Sequence, residues 1–137
     1  MDLSQFDTKV SANEGAWLDF RDPKDLTQPL LHDDKPIRVK LLGRDSDVFK
    51  ATYAKLQNPR LREQQIRGRN AAAITTQALE NENIMLIAAC TLEFENVIVD
   101  GKPVTTEDAV AFFKRFPSFR EQADDFIGGR ENFMKAS

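Results

Sequence analysis

The sequence predicts an α+β fold in which a small N-terminal antiparallel β-meander precedes a mainly α-helical bundle. Before residue 43, short segments of alternating apolar and polar residues are separated by turn-forming clusters. After residue 45, apolar residues recur at helical spacing behind suitable capping residues. The length of 137 residues fits one domain. We therefore expect a flexible lead over 1–14 and a single α+β domain over 15–137, with the meander at about 15–43 and the helical part at about 45–135.

Three short strands joined by tight turns make up the predicted meander. The first covers Ala16–Arg21, with Leu18 and Phe20 on one face. The second covers Pro29–Leu31, and the third covers Pro36–Leu42, where apolar residues occupy every second position. Sequential antiparallel pairing is the simplest topology for strands separated by so few residues.

Helix signals follow the meander. Asp45 or Ser46 caps the first predicted helix, Asn58–Pro59 interrupts it, and Gly68 ends it. A longer helix is predicted from Asn70 to Leu92, on a stripe that includes Ala71 and Ile74 and ends in a deeply buried apolar stretch.

The last third of the chain reads as a short extended piece and two helices. Glu95–Val99 is predicted to be extended, and Asp100–Gly101 to be a turn. Thr105 or Thr106 caps the next helix, and Pro117 opens the last one as its first residue.

The residues that could support catalysis are isolated. His32 is the only histidine and lies in a turn, and Cys90 is the only cysteine and lies in an apolar stretch without a nearby base. No nucleophile, metal or phosphate-binding motif occurs. We therefore expect a protein that binds other proteins and is not an enzyme, with no cofactor. A lone cysteine, no signal peptide and no apolar run long enough for a bilayer indicate a soluble intracellular protein.

Charge is segregated along the chain. The net charge is -3, yet residues 35–69 carry ten basic and three acidic side chains between two acidic ends. This band is a candidate electrostatic docking face for an acidic partner, including another copy of the chain, and its alternative is an ordinary solvated surface. Nucleic acid is less favoured because the chain is acidic overall and its aromatic residues are not interleaved with the arginines. The face comprises Arg38, Lys40, Arg44, Arg60, Arg62, Arg67 and Arg69.

Phenylalanine is concentrated near the C-terminus, where six of the ten lie between residues 112 and 133. A helical-hairpin core explains most of them. Because the sequence offers only one small sheet and one long helix to cover them, part of this surface is also a candidate groove for a partner helix. The candidate groove comprises Phe112, Phe113, Phe116, Phe119, Phe126 and Phe133.

A series of short motifs runs from about residue 13 to 134. They are Gly15–Leu18, Arg21–Pro23, Pro29–Leu30, Pro36–Val39, Leu42–Ser46 leading into a helix with Phe49, then Leu86, Ala88 and Ala89, Asp100–Pro103, Phe116–Gln122, Phe126–Ile127 and Arg130–Phe133. In their order and spacing, these motifs resemble the tail assembly chaperones of long-tailed bacteriophages.

The resemblance implies an assembly factor of the bacterial host cytoplasm that is absent from the mature virion. Such proteins bind the tape measure protein, a long helical chain that sets tail length, keep it soluble, and promote polymerisation of the tail tube protein around it. Two other functions stay open: a structural virion component such as a head–tail connector or tail terminator, and a small regulatory nucleic-acid-binding protein.

Overall fold

The structure, a computed structural model, describes residues 2–68 and 75–134. It confirms the predicted α+β class, with antiparallel strands at the N-terminal end followed by helices. The strands are β1 (Ala16–Asp19), β2 (Arg21–Asp22), β3 (Asp25–Pro29), β4 (Leu31–His32), β5 (Lys35–Pro36), β6 (Arg38–Leu41), β7 (Thr91–Glu95), β8 (Ile98–Val99) and β9 (Lys102–Pro103). The helices are α1 (Lys9–Glu14), α2 (Asp47–Arg67), α3 (Thr76–Ala89), α4 (Ala109–Arg115) and α5 (Pro117–Gly128), with 3₁₀ turns at Leu3–Phe6, Thr106–Asp108 and Arg130–Phe133.

The largest sheet has the strand order β1–β6–β7, and both pairings are antiparallel. Its central strand β6 shows the predicted alternation, because Val39 and Leu41 are fully buried while Arg38 and Lys40 are only partly covered. The sequence predicted a simple meander, in which the first strand pairs with the second strand along the chain. In the structure β1 pairs with β6, with Leu18 opposite Val39.

The three N-terminal chain segments each change partner halfway along. The backbone N–H of Phe20 donates to the carbonyl of Ile37 (2.9 Å), that of Leu30 to Phe20 (3.0 Å), and that of Ile37 to Leu30 (3.1 Å). This closed ring of hydrogen bonds marks the points where β1 gives way to β2, β3 to β4, and β5 to β6. Each segment thereby pairs with both others, and the fully buried ring of Phe20 packs in the core beneath the junction.

The expected flexible lead contains ordered secondary structure. Ala12 in α1 is 1% exposed, and its carbonyl accepts the N–H of Gly43 at 3.1 Å. Asn13 accepts the backbone N–H of Asp47 at 2.8 Å. The expectation failed because its polar, acidic composition looks like a solvated tail, whereas these contacts join residues more than thirty positions apart.

Helix α2 is continuous through Pro59, where the sequence predicted a break. Proline removes one N–H within a helix, but Pro59 and Lys55, whose carbonyl loses its partner, are both solvent-exposed. Ser46 caps the helix, as one of the two predicted alternatives, by accepting the N–H of Phe49 at 3.1 Å. Gly68 ends the helix as predicted, at a φ of 55° that favours glycine.

The predicted helix at residues 70–92 differs at both ends. Its expected start, with Ala71 and Ile74, lies outside the described residues, and α3 is described from Thr76. The predicted helical end at Leu92 is wrong, because the chain leaves the helix at Cys90 and enters β7. The predicted burial of the apolar stretch is confirmed for Ile87 and Cys90. Leu92 is accordingly 42% exposed. Residues 91–95 pair with β6, and this long-range pairing overrides the helical spacing of the apolar residues.

The C-terminal helices close the core as the capping signals predicted. The backbone N–H and hydroxyl of Thr105 both donate to Asp108 at 3.0 Å, and Pro117 is the first residue of α5. Helices α3, α4 and α5 pack on one another and on the sheet. The centre of this core contains Leu41, Ile87, Phe113, Ala123 and Ile127.

Candidate interaction surfaces

The six candidate groove phenylalanines lie mainly in the hydrophobic core. Phe112, Phe113 and Phe133 are at most 6% exposed, and the other three are partly buried against the core. The ring centroid of Phe112 lies 5.1 Å from that of Phe94 and 6.1 Å from that of Phe20. The groove interpretation is therefore wrong for the three buried rings. The sequence did not show that Phe20 and Phe94 cover Phe112, that Phe94 also lies beside Phe113, or that Phe126 packs against Phe133.

A cleft of about 400 Å³ retains a small part of the expected groove. Phe112 and Phe116 line it together with residues of the β8–β9 turn. At its rim Arg115 donates two hydrogen bonds to Asp100, at 2.7 and 3.3 Å, and this ion pair holds the pKa of Asp100 below its ordinary value. The cleft is open, and its rim is partly polar.

The predicted basic face divides into internally paired and unpaired residues. Arg38 lies 4.3 Å from the ring centroid of Trp17 and pairs with Glu95 on β7. Arg60 pairs with Glu82 on α3, and Arg67 lies 3.5 Å from Glu63 on its own helix. Arg38 and Arg60 therefore join different elements of the fold, whereas Arg67 pairs within α2. Lys40, Arg44 and Arg62 form no ion pair with residues 2–68 or 75–134, and Arg69 lies outside the described residues.

Helix α2 is unusual because none of the side chains in its 21 residues is buried. Its main neighbour among the described elements is α3, and Phe49 near its start packs partly against the main core. Three large apolar side chains are strongly exposed along it: Tyr53 (51%), Leu61 (52%) and Ile66 (83%). On α3, Leu79 and Met85 are about half exposed. The hairpin of α2 and α3 thus carries exposed apolar side chains of the kind that we expected in a groove on the C-terminal helices.

The segment Leu42–Ser46 joins three parts of the chain. A Cβ added at Gly43 would lie 2.9 Å from the Cβ of Ala12 and 3.0 Å from the ring of Phe133, so the segment needs glycine for close packing. Asp45 accepts hydrogen bonds from Arg130, at 2.9 and 3.1 Å, and from Thr8. These bonds hold the pKa of Asp45 below its ordinary value. Leu42–Ser46, which is one of the motifs that carry the resemblance, therefore has a structural role.

The isolated titratable residues stay apart in the fold. His32 lies at a turn with its Nε2 atom 3.5 Å from Asp33, and both side chains are substantially exposed. Cys90 is buried, and burial raises the pKa of its thiol to about 12. Within the described ranges, no cluster of three or more His, Cys, Asp or Glu side chains could hold a metal ion. Nor does any helix in those ranges have the length and apolar character needed to cross a membrane.

The chain matches no family model, and neither a curated protein nor a solved structure matches it. The geometry by itself therefore defines the class: a small α+β domain from which a helical hairpin presents an exposed, apolar and basic surface.

Proposed function

We propose that this chain is a phage tail assembly chaperone that binds helical segments of the tape measure protein through the hairpin of α2 and α3. The observation that carries the proposal is the complete lack of buried side chains in a helix of 21 residues. A helix normally gains most of its stability from burying one face against the protein. On this helix Tyr53, Leu61 and Ile66 are exposed at different points around the circumference. Such a helix is therefore suited to bury apolar surface against a partner.

A helical client suits this surface for a second reason. Amphipathic helices bind to apolar surfaces through side chains at spacings of three, four and seven residues. The tape measure protein that the resemblance implies is a long helical chain, with many such stripes exposed before the tail tube covers them. Several copies of the chaperone along one client would keep it soluble, with avidity making up for weak single contacts.

The proposal includes where and when the protein acts. It binds the tape measure protein in the bacterial host cytoplasm, gives way to the tail tube protein as the tube polymerises, and is absent from the mature virion. Release requires a modest affinity, and a surface formed by one helix and its partner α3 is compatible with that requirement. The role needs neither catalysis nor a cofactor.

Co-expression with the tape measure protein encoded by the same phage tests the proposal. We expect the tape measure protein to stay soluble and to co-purify with this chain. If it precipitates equally with and without the chain, the proposal is refuted. Mass spectrometry of purified particles tests the structural alternative, since a head–tail connector or tail terminator would be present in stoichiometric amounts.

One observation favours a second candidate, a small regulatory nucleic-acid-binding protein. Lys50, Lys55 and Arg62 on α2 make no ion pair with the described residues, so these cations are free to contact phosphates. A gel shift with duplex DNA that weakens steeply with salt would support this candidate. Lack of binding near physiological salt would remove it.

A further inference from the structure

One face of α2 combines apolar and basic residues in a regular pattern. Val48, Ala51, Lys55, Arg62 and Ile66 follow one another at intervals of three, four, seven and four residues. At 3.6 residues per turn, all five fall within about 60° of the helix circumference. We name these five residues the lateral face. It lies beside the side of α2 that carries partly covered residues such as Leu56 and Arg60, and Arg60 pairs with Glu82 on α3.

The lateral face is open along its whole length. Val48 is 41% and Ile66 is 83% exposed, and the three residues between them are exposed as well. The two apolar ends lie about 27 Å apart at 1.5 Å per residue, and the two cations between them lie about 10 Å apart. Neither Lys55 nor Arg62 has an ion-pair partner in the described parts of the chain.

Charge complementarity limits what can cover this face. Helix α2 carries five basic and two acidic side chains, so a basic partner helix would be repelled along its length. A purely apolar partner would have to remove the two unpaired cations from water without compensation. A helix with acidic side chains opposite Lys55 and Arg62 would form ion pairs with both cations. Its aliphatic side chains would cover the apolar residues at the two ends of the lateral face.

From this pattern we infer that the lateral face docks a client helix bearing two acidic residues seven positions apart, with aliphatic residues on either side. The spacing of the acids matches that of Lys55 and Arg62, which is the heptad interval by which two packed helices keep their facing side chains in register. The identity of the client rests on the proposed function. The position of the docking site is inferred only from the geometry and charge of α2.

Fluorescence anisotropy with two designed peptides tests the inference on the full chain. Both peptides are amphipathic helices as long as α2 with identical aliphatic positions. One carries glutamate at the two central positions seven residues apart, and the other carries lysine there. We expect the glutamate peptide to bind roughly tenfold more tightly, since two exposed charge pairs change from repulsive to attractive. That preference should shrink as salt rises above physiological strength.

A charge-reversed variant provides the specific control. The double substitution Lys55→Glu and Arg62→Glu should invert the preference, so that the lysine peptide binds more tightly. Because both side chains are exposed and unpaired, the variant should keep its melting temperature. Lys114→Glu on α4 changes an exposed cation elsewhere and should leave the preference unchanged. Equal affinity for the two peptides, or a preference that survives the reversal, would overturn the inference.

Two other occupants are distinguished by further measurements. If the chain self-associates in sedimentation velocity and the double reversal abolishes this, a second copy occupies the face and the inference is wrong. If duplex DNA binds more tightly than the glutamate peptide and competes with it, the face is a phosphate-binding surface and the inference is also wrong.

Failure of the inference and failure of the proposed function give different results. Co-purification of the tape measure protein that persists in the double reversal overturns the lateral face as the docking site and leaves the chaperone function standing. A peptide preference that inverts as expected, while the tape measure protein still precipitates, supports the lateral face and refutes the client.

Discussion

The substitution Phe112→Ala separates the core interpretation of the C-terminal phenylalanines from the groove interpretation. Phe112 is 6% exposed, and the rings of five other phenylalanines have centroids between 5.1 and 6.1 Å from its own. Truncation removes the ring from the centre of this cluster, which α4, α5 and the sheet hold in place. The neighbouring elements are fixed by their own contacts, so the site can relax only partly into the space left behind.

Truncation of a buried phenylalanine to alanine costs about 3–5 kcal/mol of unfolding free energy. A chain of this size loses roughly 3–4 °C of melting temperature for each kcal/mol, so we expect a fall of about 10–20 °C. Differential scanning calorimetry measures the shift, and urea unfolding should give a lower midpoint with an unchanged slope.

Leu61→Ala is the matched control, since Leu61 is 52% exposed on α2. Its effect on the unfolding free energy should stay within about 0.5 kcal/mol. If Phe112→Ala leaves the melting temperature within about 2 °C of the wild type, the ring does not contribute to the core. The C-terminal helices would then remain a candidate interaction surface beside the α2–α3 hairpin.

Three further predictions concern the segment around Gly43 and the buried thiol. Gly43→Ala should lower the unfolding free energy by about 1–3 kcal/mol in urea titrations, because its Cβ would lie within 3.0 Å of Ala12 and Phe133; an unchanged midpoint would contradict the packing. The lowered pKa of Asp45 stabilises the fold above the ordinary aspartate range, and this contribution is lost as pH falls below about 4. Thermal melts between pH 7 and 3 should therefore show a smaller acid-induced loss in Asp45→Asn than in the wild type, and equal losses would refute the role of the Arg130 pair. Cys90 should resist thiol reagents in the native protein and react only after unfolding, because it is buried with a pKa of about 12; rapid labelling of folded protein would contradict this burial.

Local signals in the sequence predicted the elements whose form depends on near neighbours. The alternation of apolar residues gave β6 its buried face, and Gly68 and Pro117 mark helix ends as their backbone preferences require. Ser46 caps α2 because its side chain needs only an N–H three residues away. In each case the deciding interaction lies within a few positions of the residue.

The sequence could not predict contacts between distant segments. The pairing of β1 with β6 and of β6 with β7 depends on long-range register, which alternation alone does not specify. The dependence on long-range contacts also explains why the candidate groove included phenylalanines that are buried. Burial of Phe112 depends on Phe94, which lies on β7 and fell between the helix predicted to Leu92 and the extended piece predicted from Glu95.

The candidate surface was only partly accessible to sequence reasoning. The basic band included Arg62, which forms no ion pair with the described residues, together with Arg38 and Arg60, whose acidic partners lie on other elements. Helical spacing indicated a contact side on α2, and nothing local showed that α3 would be its main neighbour among the described elements. The lateral face, with Lys55 and Ile66, becomes visible once the neighbours of α2 are known.

The most direct test of the account is quantitative co-purification of the tape measure protein with three forms of this chain: the wild type, the double reversal Lys55→Glu and Arg62→Glu, and Lys114→Glu. We expect the wild type and Lys114→Glu to retain similar amounts of soluble tape measure protein and the double reversal to retain severalfold less, with all three chains equally folded by circular dichroism. No retention by the wild type would contradict the chaperone function, and equal retention by all three would contradict docking on the lateral face of α2.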